Sequence, residues 1–308
     1  MKLEEPNYHF DIPSLGKSYE LIDSGGFEKL ERFGEFILAR PEPQAVWDKS
    51  LEESVWLKKA HAIFKKTKGR DQLNPDERGE WQNQKKMPEK WFMDYVQDGF
   101  NFKFKLSLSS FKHVGIFPEQ SANWQYLANQ IQAYNAQKPT EPFRLLNLFA
   151  YTGGASIVAK ANGADVTHVD AIKQVISWSR ESMEASNLKD IRWVIEDALK
   201  FVKREVKRGK KYNGIILDPP AYGRGPDGEK WVLEEGINDL IKSTLELLDP
   251  KHFYLLNLYS MGFSAVIAET IIKQNKPDLQ NPQMGELILQ DSFQKRLPLG
   301  VFYRFSSI

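Results

Sequence analysis

The last two thirds of the chain alternate short apolar runs with segments of helical periodicity. This alternation predicts a doubly wound α/β fold, because a parallel strand is reached from its neighbour only by a crossover connection, usually a helix. We therefore expect a mostly parallel sheet of seven strands. No helical segment separates the last two runs, so we expect the last strand to be antiparallel. The candidate strands are 144–149, 166–170, 191–195, 213–218, 252–257, 285–290 and 300–305.

Residues 1–105 differ from residues 106–308 in their sequence pattern, and we expect them to form a smaller, β-rich domain of their own. Glycines and prolines break this first part into short aromatic segments, which is typical of short strands. Residues 100–108 alternate apolar and polar side chains strictly, which predicts a half-buried strand. We also expect some helix around 51–65 and 75–86.

Composition limits the chemistry that is available. The chain has 308 residues, a net charge of +1 and 41% hydrophobic residues, so it can bury a core, and any basic surface must be local. It contains no cysteine, which excludes disulfides, thiolate metal sites, iron–sulfur clusters and a cysteine nucleophile within it. The sequence has neither a signal-peptide pattern nor an apolar run of about 18 residues, so we expect a soluble, cytoplasmic protein without a bound metal.

The residues that follow the strands are the first candidates for a site, because doubly wound sheets bind ligands beyond the carboxyl ends of their strands. The first strand runs into Tyr151-Thr152-Gly153-Gly154 and then into a helix. Two glycines let the backbone approach a ligand closely, and a helix N-terminus offers free N–H groups to an anion. The GxGxxG dinucleotide fingerprint is absent. The competing interpretation is that the glycines only turn the chain.

Acidic residues end the next two strands. Asp170 ends the second strand and can accept hydrogen bonds from both hydroxyls of an adenosine ribose. Asp197 follows the third strand and can accept a hydrogen bond from an adenine amino group. For each of them, capping of the following helix is the competing role.

The fourth strand ends in the sequence ILDPPAYGRG, residues 216–225. Asp218 supplies a carboxylate, and Pro219 and Pro220 donate no backbone hydrogen bond, so their carbonyls can turn toward a ligand. Tyr222 supplies a flat aromatic face. This combination suits a planar base that carries an N–H group. A rigid turn with a packed ring is the competing interpretation.

Taken in this order, the motifs resemble the class I S-adenosylmethionine-dependent methyltransferases, over roughly the last two hundred residues. Within that class they resemble the large-subunit ribosomal RNA methyltransferase group that includes cytosine-C5 enzymes. The resemblance is carried by FKHVGIFPEQSANWQYL, LLNLFAYTGGAS, HVDAIKQVISWSRESMEASNL, EDALKFV and ILDPPAYGRG. It implies a Rossmann-like methyltransferase domain at 106–308 and S-adenosyl-L-methionine as the cofactor.

The resemblance also implies roles for individual residues. Tyr151–Gly154 would lie near the methionine moiety, Asp170 on the ribose and Asp197 on the adenine. The implied methyl-transfer site consists of Asp218, Pro219, Pro220 and Tyr222. The implied cofactor-binding residues are Phe117, Gln120, Phe149, Tyr151, Thr152, Gly153, Gly154, Asp170, Ala171, Asp197, Ala198 and Asp218.

The chain departs from the cytosine-C5 enzymes in one place. Those enzymes carry cysteines after the fifth strand, where this chain reads YLLNLYSMGFS. Ser260 does not replace them, because an alcohol is a far poorer nucleophile without an activating base. Transfer to an atom with its own lone pair remains, such as an exocyclic amine or a ring nitrogen of a base. Ala221 separates Pro220 from Tyr222, unlike the usual amine motif, so a guanine ring nitrogen competes with an amine.

Two basic stretches suggest RNA as the partner. Residues 56–70 and 200–211 offer phosphate contacts, and Lys103 and Lys105 add to them. Trp56 and Phe64 are candidates for stacking on bases. The competing interpretation is that both stretches are solvated helix faces. The oligomeric state is left open.

Three other functions compete with an RNA methyltransferase. A protein or small-molecule N-methyltransferase would share the cofactor site but would not need the basic stretches. A nicotinamide-dependent oxidoreductase is disfavoured by the absence of GxGxxG and of a Tyr-x-x-x-Lys motif or His–Asp pair. A non-catalytic RNA-binding protein on the same fold would not need to retain Gly153, Asp170, Asp197 and Asp218.

Overall fold

The computed structural model describes residues 7–13, 15–66, 78–97, 99–259 and 262–308. Its strands are β1 Asn7–Asp11, β2 Tyr19–Gly25, β3 Glu28–Phe33, β4 Phe36–Pro41, β5 Ala62–Lys66, β6 Gly79–Asn83, β7 Lys90–Gln97, β8 Phe100–Ser107, β9 Arg144–Leu148, β10 Asp165–Asp170, β11 Arg192–Ile195, β12 Tyr212–Leu217, β13 Tyr222–Arg224, β14 Lys230–Val232, β15 Leu248–Leu258, β16 Gln283–Gln290 and β17 Arg296–Ser306. Its helices are α1 Glu53–Lys59, α2 Ser121–Ala136, α3 Gly154–Ala161, α4 Lys173–Ala185, α5 Ala198–Lys207, α6 Leu233–Leu245 and α7 Ala265–Asn275.

The main sheet confirms the predicted α/β fold. Its strand order is β1-β16-β17-β15-β12-β9-β10-β11 within the described ranges. Strands β15, β12, β9, β10 and β11 pair in parallel, and β17 pairs antiparallel with β15, as expected for the last strand. The eighth strand, β1, was not foreseen. It pairs in parallel with β16, but its sequence NYHFD has no apolar run to announce it.

Apolar strands and amphipathic helix faces explain why the sheet forms. All six residues of β12 are buried, and α5 buries Phe201 and Val202 against the same core. Gly214 in β12 is required by packing, because a Cβ there would lie 2.7 Å from both Leu145 Cδ1 and Phe253 Cε1. The core therefore fixes the strands whose carboxyl ends carry the candidate site.

The region before residue 122 is rich in strands, as predicted. Strands β2 to β6 form one sheet in chain order, and β7 pairs antiparallel with β8. The expected helix at 75–86 is wrong, because Gly79–Asn83 is a strand that pairs antiparallel with β5. The helix expected around 51–65 is confined to Glu53–Lys59, since Ile63 and Phe64 pack as strand residues. Residues 67–77 lie outside the described part of the chain.

The chain folds into two compact units. The sheet unit contains the chain up to Asp11, Ala122–Leu287 and Gly300–Ile308. The accessory unit contains Ile12–Ser121 and Ile288–Leu299. The division of function between residues 1–105 and 106–308 stays a prediction.

A buried ion cluster holds the strands of the accessory unit together. Glu31 is fully buried on β3, where Arg40 of β4 donates to both of its oxygens at 2.5 and 3.0 Å. The Tyr19 hydroxyl of β2 donates to the same carboxylate at 2.7 Å. Burial raises the pKa of Glu31, but the charges of Arg40 and Lys29 outweigh it and lower the pKa to about 2. The carboxylate therefore stays charged and links three strands.

We predict that Glu31→Gln lowers the free energy of unfolding by about 3–5 kcal/mol, because it leaves the Arg40 charge buried without its partner. Since folding lowers the pKa of Glu31 from 4.5 to about 2, its contribution is present at neutral pH and is lost as the pH falls through that interval. Urea unfolding at pH 7 and pH 3 measures both effects. The matched control is Glu20→Gln, whose exposed ion pair with Arg32 is worth at most about 1 kcal/mol. Equal losses for the two variants would contradict the prediction.

Candidate functional site

The register of the main sheet aligns the residues that follow its central strands. Neighbouring strands are about 4.8 Å apart, so residues at one level form a short row. The paired residues are Leu256 with Leu217, Leu217 with Leu148, and Leu148 with Val169. The residues next along the chain are Asn257, Asp218, Phe149 and Asp170. The structure thus brings together the sequence-predicted acids of the second and fourth strands, with the glycine-containing loop between them.

The loop after β9 has an unusual backbone. Phe149 has φ 53°, Tyr151 has φ 47° and Gly153 has φ 80°, all in the left-handed region. Only glycine adopts this region without cost, so the two aromatic residues store backbone strain of the kind found at functional sites. The Tyr151 N–H donates to Asp170 at 2.9 Å. The Gly153 N–H donates to the Ala150 carbonyl at 3.0 Å. Bonds within the protein therefore hold this curved loop, which is the candidate cradle for a ligand.

Asp170 holds this loop in place. Its Oδ2 accepts the N–H of Tyr151 at 2.9 Å, and its Oδ1 accepts the N–H of Ile172 at 2.9 Å. Burial raises the pKa of Asp170, and these backbone hydrogen bonds oppose the rise. Helix α4 begins at Lys173 with Ile172 as its N-cap, so Asp170 is not the cap that the competing interpretation required. A carboxylate has about four lone-pair sites, so Asp170 can still accept a hydrogen bond from a ligand hydroxyl beside its bonds to the backbone.

Glycine is needed at positions 153 and 154 for two different physical reasons. Gly153 has a positive φ, because the chain turns tightly there, at the N-cap of α3. Gly154 has an ordinary backbone, but a Cβ there would lie 2.4 Å from Cζ2 of Trp124 on α2. Close packing of the loop beneath an indole ring therefore requires the second glycine. Thr152 beside them is buried.

Asp197 combines a structural role with a candidate binding role. It is the N-cap of α5, and its Oδ1 accepts the N–H of Lys200 at 2.9 Å, so the competing capping role is real. Two exposed apolar side chains lie near these acids in the chain, and sequence reasoning missed both. Ile172 is 54% exposed and Ile195 is 44% exposed. Each of them lies two positions from an acid at a strand end, and this spacing is the sequence pattern that could have pointed to them.

The DPPAY segment is fixed by a residue that the sequence interpretation overlooked. The Nε1–H of Trp231 donates to the Pro220 carbonyl at 2.7 Å, and the Trp231 ring lies 5.1 Å from that of Phe149. The Pro220 carbonyl is therefore occupied by the protein itself. Asp218 is half-buried and Tyr222 is partly exposed. Trp231 thus ties the segment after β12 to the loop after β9.

The basic stretch at 200–211 is largely paired with acids. Lys200 contacts Asp227 at 2.9 Å and Glu229 at 3.1 Å, while Lys203 contacts Asp239 at 2.7 Å. Arg204 pairs with Glu196, and Arg208 pairs with Glu205. Part of the charge that suggested RNA therefore attaches α5 to neighbouring elements of its own unit.

The expected stacking role of Trp56 and Phe64 is wrong. Both side chains are almost completely buried, and the Trp56 Nε1–H donates to Asp23 at 2.9 Å. Lys105 is buried as well, and Lys103 pairs with Asp94 at 2.7 Å. Residues 67–70 of the basic stretch at 56–70 lie outside the described ranges.

Phe117 and Gln120 belong to the accessory unit, where Phe117 precedes and Gln120 ends a short 3-10 turn at Pro118–Gln120. Their assignment to the cofactor pocket stays a prediction. Among the described residues, no group of three His, Asp or Glu side chains could hold a metal ion. In that same part of the chain, no helix is long and apolar enough to cross a membrane.

Comparison with known proteins decides the family. A family model described as "S-adenosylmethionine-dependent methyltransferase" matches residues 41–279. The chain belongs to this family. A crystal structure of the S-adenosylmethionine-dependent methyltransferase from Agrobacterium tumefaciens is 34% identical, with a TM-score of 0.86, and the match covers 100% of this chain and 97% of that one. S-adenosylmethionine is accordingly the cofactor.

Two further relatives extend the comparison. The ribosomal RNA large subunit methyltransferase K/L of Shewanella frigidimarina is 26% identical over 182 residues, which cover 58% of this chain and 24% of that protein. The chain thus matches only about a quarter of the length of this curated relative. A methyltransferase structure complexed with SAH is 19% identical with a TM-score of 0.67, covering 95% of this chain and 76% of that one, and supports the fold.

We predict that Gly154→Ala lowers the free energy of unfolding by about 1–3 kcal/mol, because the new methyl group would clash with Trp124. Adding Trp124→Phe should recover part of this loss, since the smaller ring leaves room. Thermal unfolding of the two single variants and the double variant gives the coupling between the sites. Strictly additive losses would show that the indole does not confine the loop.

Proposed function

We propose that the protein transfers a methyl group from S-adenosylmethionine to a nitrogen of an RNA base, with large-subunit ribosomal RNA as the substrate. The observation that carries the proposal is the Asp218–Tyr222 segment beside the strained loop, in a chain without cysteine. The similarity to the ribosomal RNA large subunit methyltransferase K/L of Shewanella frigidimarina supports the choice of RNA.

The cofactor fits the residues at the row of strand ends. We assign the loop Tyr151–Gly154 to the methionine moiety and Asp170 to the ribose hydroxyls, since its carboxylate has acceptor capacity beyond its bonds to the backbone. Asp197 would accept the adenine amino group with the oxygen that does not cap α5. Ile172 and Ile195 give the flat ring the apolar contact that their exposure otherwise leaves unexplained. Phe149, Ala171 and Ala198 adjoin these residues in the chain.

The bound cofactor supplies an electrophilic methyl group on a sulfonium. The contribution of the protein is to hold the base nitrogen in line with that methyl group, which can account for about 7–11 kcal/mol of the barrier at best. Asp218 would accept an N–H of the base, orient its lone pair and receive the proton that the nitrogen loses. Tyr222 would stack on the base.

The hydrogen bond from Trp231 reduces the number of backbone carbonyls that could accept an N–H of the base. Because the Pro220 carbonyl already accepts the indole N–H, it serves the protein and not the substrate. The Pro219 carbonyl is then the backbone acceptor that we assign to a second N–H. Guanine N1, the ring nitrogen that presents a single N–H, needs Asp218 alone. Both nitrogen nucleophiles fit the segment without a covalent intermediate.

A protein or small-molecule N-methyltransferase is the second candidate. It is favoured by the burial of Trp56 and Phe64 and by the acid partners of Lys200 and Lys203, which remove features that pointed to RNA. The cofactor site and the Asp218 chemistry would be unchanged. Only the identity of the methylated molecule separates the two functions.

We predict that the protein transfers tritiated methyl groups from S-adenosylmethionine to an unmodified transcript of large-subunit ribosomal RNA. Mass spectrometry of the digested RNA should identify an N-methylated nucleoside. Asp218→Asn should lower kcat by about 100-fold or more, because the amide cannot take the proton. Asp239→Asn, an exposed acid on α6, is the matched control and should leave kcat unchanged.

Label found only in protein or small molecules would establish the second candidate. A 5-methylcytosine product would contradict the lone-pair mechanism. Full activity of Asp218→Asn would remove the proposed role of this carboxylate while leaving the choice of RNA intact.

A further inference from the structure

The hairpin that follows the DPPAY segment carries an unusual pair of cations. Strands β13 and β14 are antiparallel, and their register places Arg224 directly opposite Lys230. Directly opposed residues have Cβ atoms about 4.5–5.5 Å apart, and like charges in this position destabilise a strand pair. Both residues are exposed, and neither has an ion-pair partner among the described residues. The hairpin thus tolerates a repulsion that an anion would relieve.

The two faces of this hairpin differ sharply. Successive side chains along a strand point to opposite faces, so Tyr222, Arg224 and Lys230 share one face, while Trp231 lies on the other. Trp231 is buried, lies against Phe149 and bonds to the Pro220 carbonyl. Because the Trp231 face packs on the sheet unit, the face with the aromatic ring and both cations points outward.

Internal contacts fix both ends of the hairpin. At its base, the N–H of Leu233 donates to the Ala221 carbonyl at 3.0 Å, next to the Trp231 bond. At its tip, Lys200 of α5 contacts Asp227 and Glu229. The acids of the hairpin are therefore neutralised from outside it, while its two opposed cations are not. A surface held in this way loses little entropy on binding a ligand.

The spacing on the outward face matches one nucleotide. Residues two apart on a strand are about 6.8 Å apart, so the ring of Tyr222 and the charge of Arg224 can contact a base and the phosphate linked to it through the sugar. A guanidinium binds phosphate oxygens in a bidentate manner, and an ammonium adds a point charge. The opposed pair fits a single phosphate group held from two sides.

We propose that Arg224 and Lys230 together bind a backbone phosphate of the RNA next to the methylated base. This inference rests on the proposed function and adds a substrate-positioning site to it. The hairpin begins at the segment that carries Asp218, so a phosphate held there fixes the distance of the base from the catalytic carboxylate. Recognition of this kind depends on backbone charge and not on base sequence.

The test is the affinity for a radiolabelled transcript of large-subunit ribosomal RNA, measured by filter binding in the presence of SAH at several salt concentrations. The variant is Arg224→Gln with Lys230→Gln. The matched control is Lys160→Gln with Lys242→Gln, which removes the same charge from the last turns of α3 and α6. Those helix ends lie at the opposite edge of the sheet, because crossover helices run antiparallel to the strands they connect.

The hairpin variant should bind the transcript at least tenfold more weakly than wild type at low salt, and its KM for methyl transfer should rise in parallel. The slope of log affinity against log salt should fall by about 0.7, the value for one phosphate contact on a single strand. The control should bind like wild type, and the SAH affinity of both variants by calorimetry should be unchanged.

Equal RNA affinities for the hairpin variant and the control would overturn the proposal while the proposed function stands, because wild type would still bind and methylate RNA. A wild-type protein that neither binds nor methylates the transcript would overturn both. Loss of SAH affinity in the hairpin variant would also overturn the proposal, since the cations would then act through the cofactor site.

Discussion

The hydrogen bond from the Tyr151 N–H to Asp170 is the interaction on which the candidate site depends. It closes the loop after β9 onto the end of β10 and keeps two aromatic residues in a backbone conformation that they rarely adopt. The same carboxylate then faces the position assigned to the ribose. One side chain thus shapes the loop and, in the proposed function, also binds the cofactor.

A second set of contacts holds the segment that we propose for the substrate. The indole N–H of Trp231 donates to the Pro220 carbonyl, and the ring contacts Phe149, so the segment of Asp218 is held against the same loop that we assign to the cofactor. Lys200 anchors the tip of the following hairpin through Asp227 and Glu229. The sites that we propose for the methyl donor and the acceptor are thereby held by rigid elements, as in-line transfer requires.

Sequence periodicity predicted the sheet and the strand-end acids well, because buried parallel strands are continuous apolar runs. It failed where partners are distant in sequence. The acids that pair with Lys200 lie 27 and 29 residues further along, so a paired helix face resembled an RNA-binding stretch. Gly79–Asn83 is a strand because β5 pairs with it, and Trp56 is buried because Asp23 accepts its N–H. Neither contact can be recognised from the residues next to it in the sequence.

The central claim is that Asp170 and the loop it holds form the cofactor site, and calorimetric titration with S-adenosylmethionine tests it most directly. The matched pair is Asp170→Ala and Asp165→Ala, two acids at opposite ends of β10. The account predicts binding in wild type and Asp165→Ala, and a loss of about 100-fold or more in Asp170→Ala, since hydrogen bonds to a charged group are worth about 1.5–3 kcal/mol each. Undiminished affinity in a folded Asp170→Ala protein would contradict it.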